Sequence, residues 1–469
     1  MRLAALLLLA LCACAPAHER PNVLLVSIDT LRADRLPQCE QLQEFARDAL
    51  VFENAQSPRA KTTPALASLL TGLYPHEHGV RELLQPLSPR IPVLAERLRA
   101  AGWSTAAIVG NWVLGDARSG LARGFEQWTE DLPDVQRVPP DDVPERRARS
   151  LTDGALVALG LEPWKQGDPL PRASALSQGK PWFLWLHYMD PHGSYDPPQE
   201  FRRAAAAPDP IDESGEDKPS VAQYNVPASA RLPDGRIDAA AVRALYDGEV
   251  RYVDHELGRL FGRMRAAGLL ENTIVVVTAD HGESLGEQQY YFEHGRNVSQ
   301  ACCAVPLLVR VPRGARGREA RPVSLCDVEP MLLGFLGLGA APLAGGPVFC
   351  EKIERPDLSK AIQEKAVRLG DWKYVRRYAQ VFDAATPENK QLVIAGEELY
   401  DLAADPREEH DLSAAPPKSA PLARLQAELL RFSAADVRFG DLATRLAAQR
   451  AELEASDPET LRILKALGY

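Results

Sequence analysis

Three polar clusters follow directly on apolar runs of strand length. Asp29 follows NVLLVSI, Asp190 and His192 follow WFLWLHYM, and Asp280-His281 follow TIVVVTA. Hard cations favour carboxylate ligands, and a neutral imidazole adds one suited to transition metals. Asp29, Asp280 and His281 would supply such a set from two strand ends, with the Thr62 hydroxyl completing it. A free threonine hydroxyl stays protonated at neutral pH, and metal coordination would lower its pKa enough to make it a nucleophile. Pro64 suits the first turn of a helix, so Thr62 is expected near a helix N-terminus. Free N–H groups and the dipole there favour a phosphate or sulfate. Thr63 can cap that helix while Thr62 reacts. Asp190, His192 and His294 are a further grouping that could bind a second cation. One acidic residue after a strand is an ordinary turn or cap, but three such clusters fit that description poorly.

The elements that must position these groups are legible as a pattern. Asn22–Ile28, 104–109, 182–187, 273–278 and 306–311 are continuously apolar, which predicts strands of a parallel sheet covered on both faces. Helical patterns over 63–71, 91–101 and about 239–267 lie between them, and the alternation predicts an α/β sandwich with right-handed crossovers. In such sheets ligands gather at the carboxyl ends of the strands, where all three clusters stand. Residues 131–150 and 202–225 lack a period and read as long surface loops, candidates for the rim of a site. From about Lys360 the pattern changes, and a helical tail is expected over about 421–455.

Composition narrows the class. The chain has 469 residues, 45% of them hydrophobic and 25% charged, as in ordinary globular proteins. Its net charge of −10 argues against a nucleic-acid partner, which needs a basic face. A small anionic ester is still compatible, because a metal can supply local positive charge. MRLAALLLLALCAC reads as an export signal, too short to span a bilayer. Leu11-Cys12-Ala13-Cys14 looks like a bacterial lipobox, with Cys14 as the first mature residue, the alternative being an ordinary signal peptide cut at the A-x-A site Ala15-Pro16-Ala17. The chain is therefore expected outside the cytoplasm, as a periplasmic or cell-envelope lipoprotein touching the membrane only through its lipid anchor. Cys39, Cys302, Cys303, Cys326 and Cys350 then remain, an odd count whose pairing spacing alone does not give.

The segment KTTPALASLLTG, residues 61–72, resembles the active-site loop of the sulfatase family, Cys-x-Pro-x-Arg before Ser-Leu-Leu-Thr-Gly. Pro64 and the Ser-Leu-Leu-Thr-Gly run match, whereas Thr62 and Leu66 replace Cys and Arg. PNVLLVSIDTLRADRL and TADHGE are similar to the metal-ligand segments of sulfatases and phosphodiesterases of the alkaline-phosphatase superfamily. AVRLGDWKYV, ELYDL and ADPREEHDL look like the family's C-terminal subdomain. The resemblance implies an alkaline-phosphatase-like three-layer sandwich with a central, mostly parallel sheet and a smaller C-terminal α+β subdomain. Residues 21–355 would form the catalytic domain, 360–415 the subdomain and 416–469 the tail, after a signal peptide over 1–13. It also implies that His192 contacts the anion and His294 lies near the leaving-group oxygen. Arg32 and Arg296 are secondary anion candidates, with salt bridging as their other reading. His76 and His78 would shape the loop after the helix, and His255 and His410 would be ordinary.

The departures bear on the substrate. The family's second Asp is Thr30 here, which lowers the ligand count and leaves the divalent ion open among Ca, Mn, Mg and Zn. The family's Lys-Trp-His-Leu-Gly is Asn111-Trp112-Val113-Leu114-Gly115. No formylglycine is expected. A formylglycine hydrate expels sulfate by collapse of its second hydroxyl, which threonine lacks, whereas a phospho-threonine is open to attack by water. The expectation is an exported, metal-dependent sulfate or phosphate ester hydrolase acting through Thr62, with phosphoester chemistry favoured. Its rivals are a phosphotransferase acting on an envelope glycan or lipid, and a non-catalytic binding protein that kept the fold.

Overall fold

The computed structural model describes residues 20–130, 132, 145–164, 176, 179–214, 218–339, 345–353, 362–383 and 386–436. The leader with Cys14, most of the 131–150 loop and the tail beyond 436 lie outside the described residues. Among the described residues no helix is long and apolar enough to cross a membrane.

Among the described residues eight strands form the main sheet: β1 (Asn22–Ile28), β2 (Leu50–Phe52), β3 (Ser104–Val109), β4 (Gln127–Thr129), β5 (Trp182–Tyr188), β6 (Thr273–Ala279), β7 (Leu307–Arg310) and β8 (Gly317–Glu319). Their order across the sheet is β8-β2-β7-β6-β1-β5-β3-β4. β6, β1, β5, β3 and β4 are mutually parallel. β7 alone runs against its neighbours β6 and β2, so the last of the apolar runs is antiparallel. Its apolar continuity reflects burial, which strand direction does not alter. Every residue of β3, β5 and β6 is buried.

The helices that matter are α1 (Thr62–Thr71), α2 (Ala148–Ala158) and α3 (Ala239–Ala266). All ten residues of α1 are buried, and it stops at Gly72, whose left-handed φ of 71° a glycine adopts freely. α3 opens on Asp238, whose carboxylate accepts from the Ala240 and Ala241 N–H groups. The helix expected over 91–101 is confined to Leu94–Ala100. The 202–225 loop is less irregular than its sequence suggests. Ser220–Val221 pairs with Tyr290–Tyr291, and Asn225 Nδ2 donates to the Phe292 carbonyl, so this loop packs against the strand that leads to His294.

A second, antiparallel sheet contains β9 (Val348–Ile353), β10 (Ile362–Leu369), β11 (Trp372–Asp383) and β12 (Thr386–Asp401) in that order. It begins before the change of pattern at Lys360, because β9 pairs along β10. Period-two alternation splits its side chains. Val367, Tyr374 and Leu399 meet Leu425, Leu429 and Phe432 of α4 (Leu422–Ala435), while Ala366, Val375 and Tyr400 face Val298 and Cys303 of the main domain. Of the tail helix expected over 421–455, α4 is the part within the described residues.

Because α1 carries Thr62 and is buried throughout, its packing should dominate local stability. Leu69, fully buried, should cost about 2–5 kcal/mol when changed to Ala, read as a lowered thermal unfolding midpoint. An unchanged midpoint would contradict the packing described.

Candidate active site

Parallel β6, β1, β5 and β3 are consecutive neighbours, so their carboxyl ends open on one edge. Asp280-His281, Asp29, Asp190 with His192, and Asn111 leave from those four ends. α1 brings Thr62 to the same place. Thr62 Oγ1 lies 3.4 Å from Asp29 Oδ2 and 3.5 Å from His281 Nε2. His281 Nε2 is 3.7 Å from Asp29 Oδ1 and 3.5 Å from Asp280 Oδ2. The four residues expected to hold a cation therefore converge.

The turn after β1 is strained to achieve this. Thr30 has a φ of 54°, costly for a β-branched residue. It aims its N–H at Asp280 Oδ1, 3.3 Å away, while its carbonyl accepts from Tyr246 OH at 2.7 Å. Asp280 Oδ1 also accepts from the His281 N–H at 2.8 Å.

Charge is concentrated here without matching partners. Burial works to raise Asp29, but the adjacent His187, His192 and His281 hold it well below the usual carboxylate range. Burial, then the Asp29 charge, push Asp280 well above that range. Two buried carboxylates so close cannot both ionise comfortably without a cation. Asp29 Oδ1, Asp280 Oδ2 and His187 Nε2 are buried without a hydrogen-bond partner. Ligand atoms of Asp29, His187 and Asp280 lie within 4.8 Å of one another. Orphaned oxygens and imidazole nitrogen in one small volume fit a divalent cation.

The histidines are oriented for such a site. His281 Nδ1 lies 3.0 Å from the Gly282 carbonyl and His192 Nδ1 2.6 Å from the Gly193 carbonyl, and with Nδ1 as donor each ring leaves its Nε2 lone pair to the site. His294 Nδ1 meets Glu283 Oε1 at 3.2 Å, and Tyr195 OH donates to Glu283 Oε2 at 3.1 Å. The rings form a row, His294 4.4 Å from His281 and 5.1 Å from His192 between centroids. Burial, then His192, push His294 down to about 3, so it is neutral at physiological pH.

The sulfatase family model matches residues 21–338. The chain belongs to the sulfatase family. Membership makes it a sulfuric or phosphoric ester hydrolase. It is 26% identical over 402 residues to the multifunctional alkaline phosphatase superfamily protein PehA of Trinickia caryophylli, covering 69% of this chain and 75% of that one. Its fold is similar to a structure in complex with its substrate D-glucosamine-2-N,6-O-disulfate (TM-score 0.64, 18% identity, 94% of this chain and 99% of that one). It is also similar to phosphonate monoester hydrolase of Agrobacterium radiobacter (TM-score 0.59, 20% identity, 92% and 96%).

Within this sulfatase-family chain three expected residues are engaged elsewhere. Asp190 turns from the histidines: Oδ1 pairs with Arg147 Nε at 2.9 Å and Oδ2 caps α2 through the Ala148 N–H at 2.7 Å. A second cation site through Asp190, His192 and His294 therefore lacks its carboxylate. Arg32 is buried against Asp34, Glu287 and the Glu283 carbonyl, its donors consumed within the protein. Arg296 pairs with Glu293 and is largely exposed. Neither is arranged to contact an anion. Thr63 is also not the cap: the helix starts at Thr62 after extended Lys61, and no side chain caps it.

Three residues emerge only from the structure. Asn111 Nδ2 donates to Asp29 Oδ2 at 2.8 Å, and His187 Nε2 stands 3.4 Å from the same oxygen. His187 lies inside WFLWLHY, where burial of a strand hid it, and Ser27 Oγ, 2.9 Å from its Nδ1, braces it. Glu283 is the last residue of TADHGE, and its place two residues after His281 was the available signal.

His78 shapes the loop as expected, and it does so as a neutral ring. Its Nδ1 accepts from the Val80 N–H at 3.1 Å, leaving Nε2–H to Ser68 of α1 at 2.9 Å. Burial, then Arg81, push it down to about 3. The unfolded chain, with His near 6.5, binds the extra proton first as pH falls. Stability should therefore be full above about pH 6.5 and fall toward pH 3, by roughly 2 kcal/mol from His78 alone at pH 5. Urea midpoints measured against pH should show this slope, reduced in His78→Gln.

Proposed function

We propose that the chain is an exported, metal-dependent hydrolase that cleaves anionic esters through Thr62, and that its natural ester is a phosphoester. The observation carrying this reading is the position of Thr62 Oγ1 within 3.5 Å of both Asp29 and His281, beside the orphaned Asp29 Oδ1 and Asp280 Oδ2. Export rests on the apolar leader of residues 1–14.

Asp29, Asp280 and His281 would hold the cation, with His187 beside them. When bound, a divalent ion lowers the pKa of a nearby hydroxyl and offsets charge on the transferring group. Thr62 is the first residue of α1, so the free N–H groups at that end face the incoming anion. Its oxygen attacks phosphorus, the alcohol leaves, and a phospho-threonine forms. Burial pushes the Glu283 carboxyl up to about 8, so it would donate to His294 Nδ1, leaving the neutral ring an Nε2–H that passes to the departing oxygen as Nδ1 takes the Glu283 proton. His192 would orient the anion's non-bridging oxygens. Water then releases phosphate and restores the threonine hydroxyl. Asn111 and His187 keep Asp29 aligned through both steps.

Phosphorus is favoured over sulfur because threonine carries one oxygen on its reacting carbon, so the intermediate must leave by attack at the central atom. The likeness to a phosphonate monoester hydrolase fits this preference, and the natural alcohol is expected to be a small or glycan-like group rather than nucleic acid.

Paired nitrophenyl sulfate, phosphate monoester and phosphodiester substrates, assayed with Mn, Zn, Mg and Ca in turn, test the reading. The diester or monoester is expected to turn over, with Thr62→Ala falling by about a thousandfold or more. Sulfate turnover that vanishes in Thr62→Ala would refute the ester preference, and turnover untouched by that change would refute the nucleophile. Asp280→Asn should abolish both metal retention and turnover. Retention of a stoichiometric ion in that variant would remove Asp280 from the ligand set.

A further inference from the structure

Five cysteines lie among the described residues, all buried. Three have an oxygen partner: Cys39 donates to the Arg35 carbonyl at 3.4 Å and Cys326 to the Leu73 carbonyl at 3.3 Å, and Cys302 meets Ser284 Oγ at 3.2 Å. Cys303 and Cys350 have each other, with their sulfurs 2.7 Å apart. That separation is too close for two unbonded thiols at rest and is near the reach of a bond of about 2.05 Å. We propose that Cys303 and Cys350 form a disulfide joining the C-terminal sheet to the backbone that supports the active site.

The location gives the bond a purpose. Cys350 is in β9, and Cys303 ends the short helix Gln300–Cys303. The carbonyls of Cys302 and Cys303 accept from the N–H groups of Gly282 and Ser57, each at 2.8 Å. Gly282 follows His281, and Ser57 opens the segment leading to Thr62. Around the sulfurs the seam is already polar and closed: Lys373 donates to the Val298 carbonyl and pairs with Glu408, which accepts from the Gln300 N–H. A covalent bond here would fix β9 against the residue pair that holds both halves of the site.

The chemistry is thiol–disulfide exchange with a small-molecule or protein disulfide. One cysteine thiolate attacks a sulfur of the oxidant, which departs as a thiolate and takes up a proton. The second cysteine, as thiolate, then displaces the mixed disulfide and releases the other thiol. The two cysteines lose two electrons and two protons in all, and the oxidant becomes two thiols. Burial raises the Cys303 thiol well above its ordinary range, so the exchange belongs to folding, before the seam closes.

The full chain, refolded in a mixture of reduced and oxidised glutathione, is denatured with iodoacetamide and weighed before and after reduction. Two of the cysteines Cys39, Cys302, Cys303, Cys326 and Cys350 should escape alkylation until reduced, and fragmentation of the joined peptide should assign Cys303 to Cys350. Cys302→Ser should keep the bond and Cys350→Ser should abolish it. The oxidised chain should unfold a few degrees above its reduced form, a difference absent in Cys350→Ser. Full alkylation without reduction, or a bond through Cys302, overturns the proposal. An equal midpoint for the two forms overturns its locking role. None of these readouts uses ester turnover, so failure here is distinct from failure of the proposed function.

Discussion

The repulsion between Asp29 and Asp280 is the constraint around which this molecule is arranged. Both carboxylates are fully buried and end neighbouring strands. Water cannot screen them, so the fold either neutralises one or brings positive charge between them. The strained Thr30 turn, the Asn111 amide, the His187 ring and the His281 N–H each satisfy part of the demand, and oxygens on both groups are still left over. Such unmet charge is destabilising by itself. Unmet charge of this kind clusters at functional sites, where binding can compensate it.

The remaining architecture keeps those two groups in place. Parallel strands bring loop residues from distant parts of the chain to one edge, and the long helix α3 reaches that edge through Tyr246, which bonds both Thr30 and Arg32. Arg32 is spent on Asp34 and Glu287, so it stiffens the loop after Asp29 instead of meeting an anion. Asp190 similarly fastens α2 through Arg147 and the Ala148 N–H. Charged residues near the site thus divide into those that hold the scaffold and those left free for chemistry. The C-terminal sheet adds a second brace, because its Lys373 and Arg368 reach back to Val298 and Gln300 in the main domain.

If Thr62 is the nucleophile, as proposed, the surroundings must work differently. The cationic side chains beside the site are paired, Arg32 with Glu287, Arg296 with Glu293 and Lys61 with Glu82, and leucine stands at the family's arginine position. In the proposed reaction, positive potential would come from a bound cation and from the amino end of α1, which has no side-chain cap competing for its N–H groups. That distribution agrees with a chain of negative net charge acting on an anionic ester.

Much of this was legible in the sequence, because apolar continuity and strand-end position are local properties. The central strands and α3 followed from apolar and helical periodicity, and α1, the family and the convergence of Asp29, Thr62, Asp280 and His281 from NVLLVSI, TTPALASLLTG and TADHGE. Partners were not legible. Asp190 and His192 are two residues apart, yet one faces Arg147 and the other the histidine row, since a turn after a strand sends successive side chains in different directions. His187 looked like strand filling because an apolar run hides which face each residue takes, and only its pairing with Ser27 across β1 decides that. The reversed direction of β7 and the early start of the second sheet at Val348 depend on long-range pairing that no local pattern encodes. The sequence by itself determined which residues could do chemistry and on which elements they ride. The tertiary structure decided which of them are free to do it, because hydrogen bonds and ion pairs between distant segments consume some charges and leave others unmet.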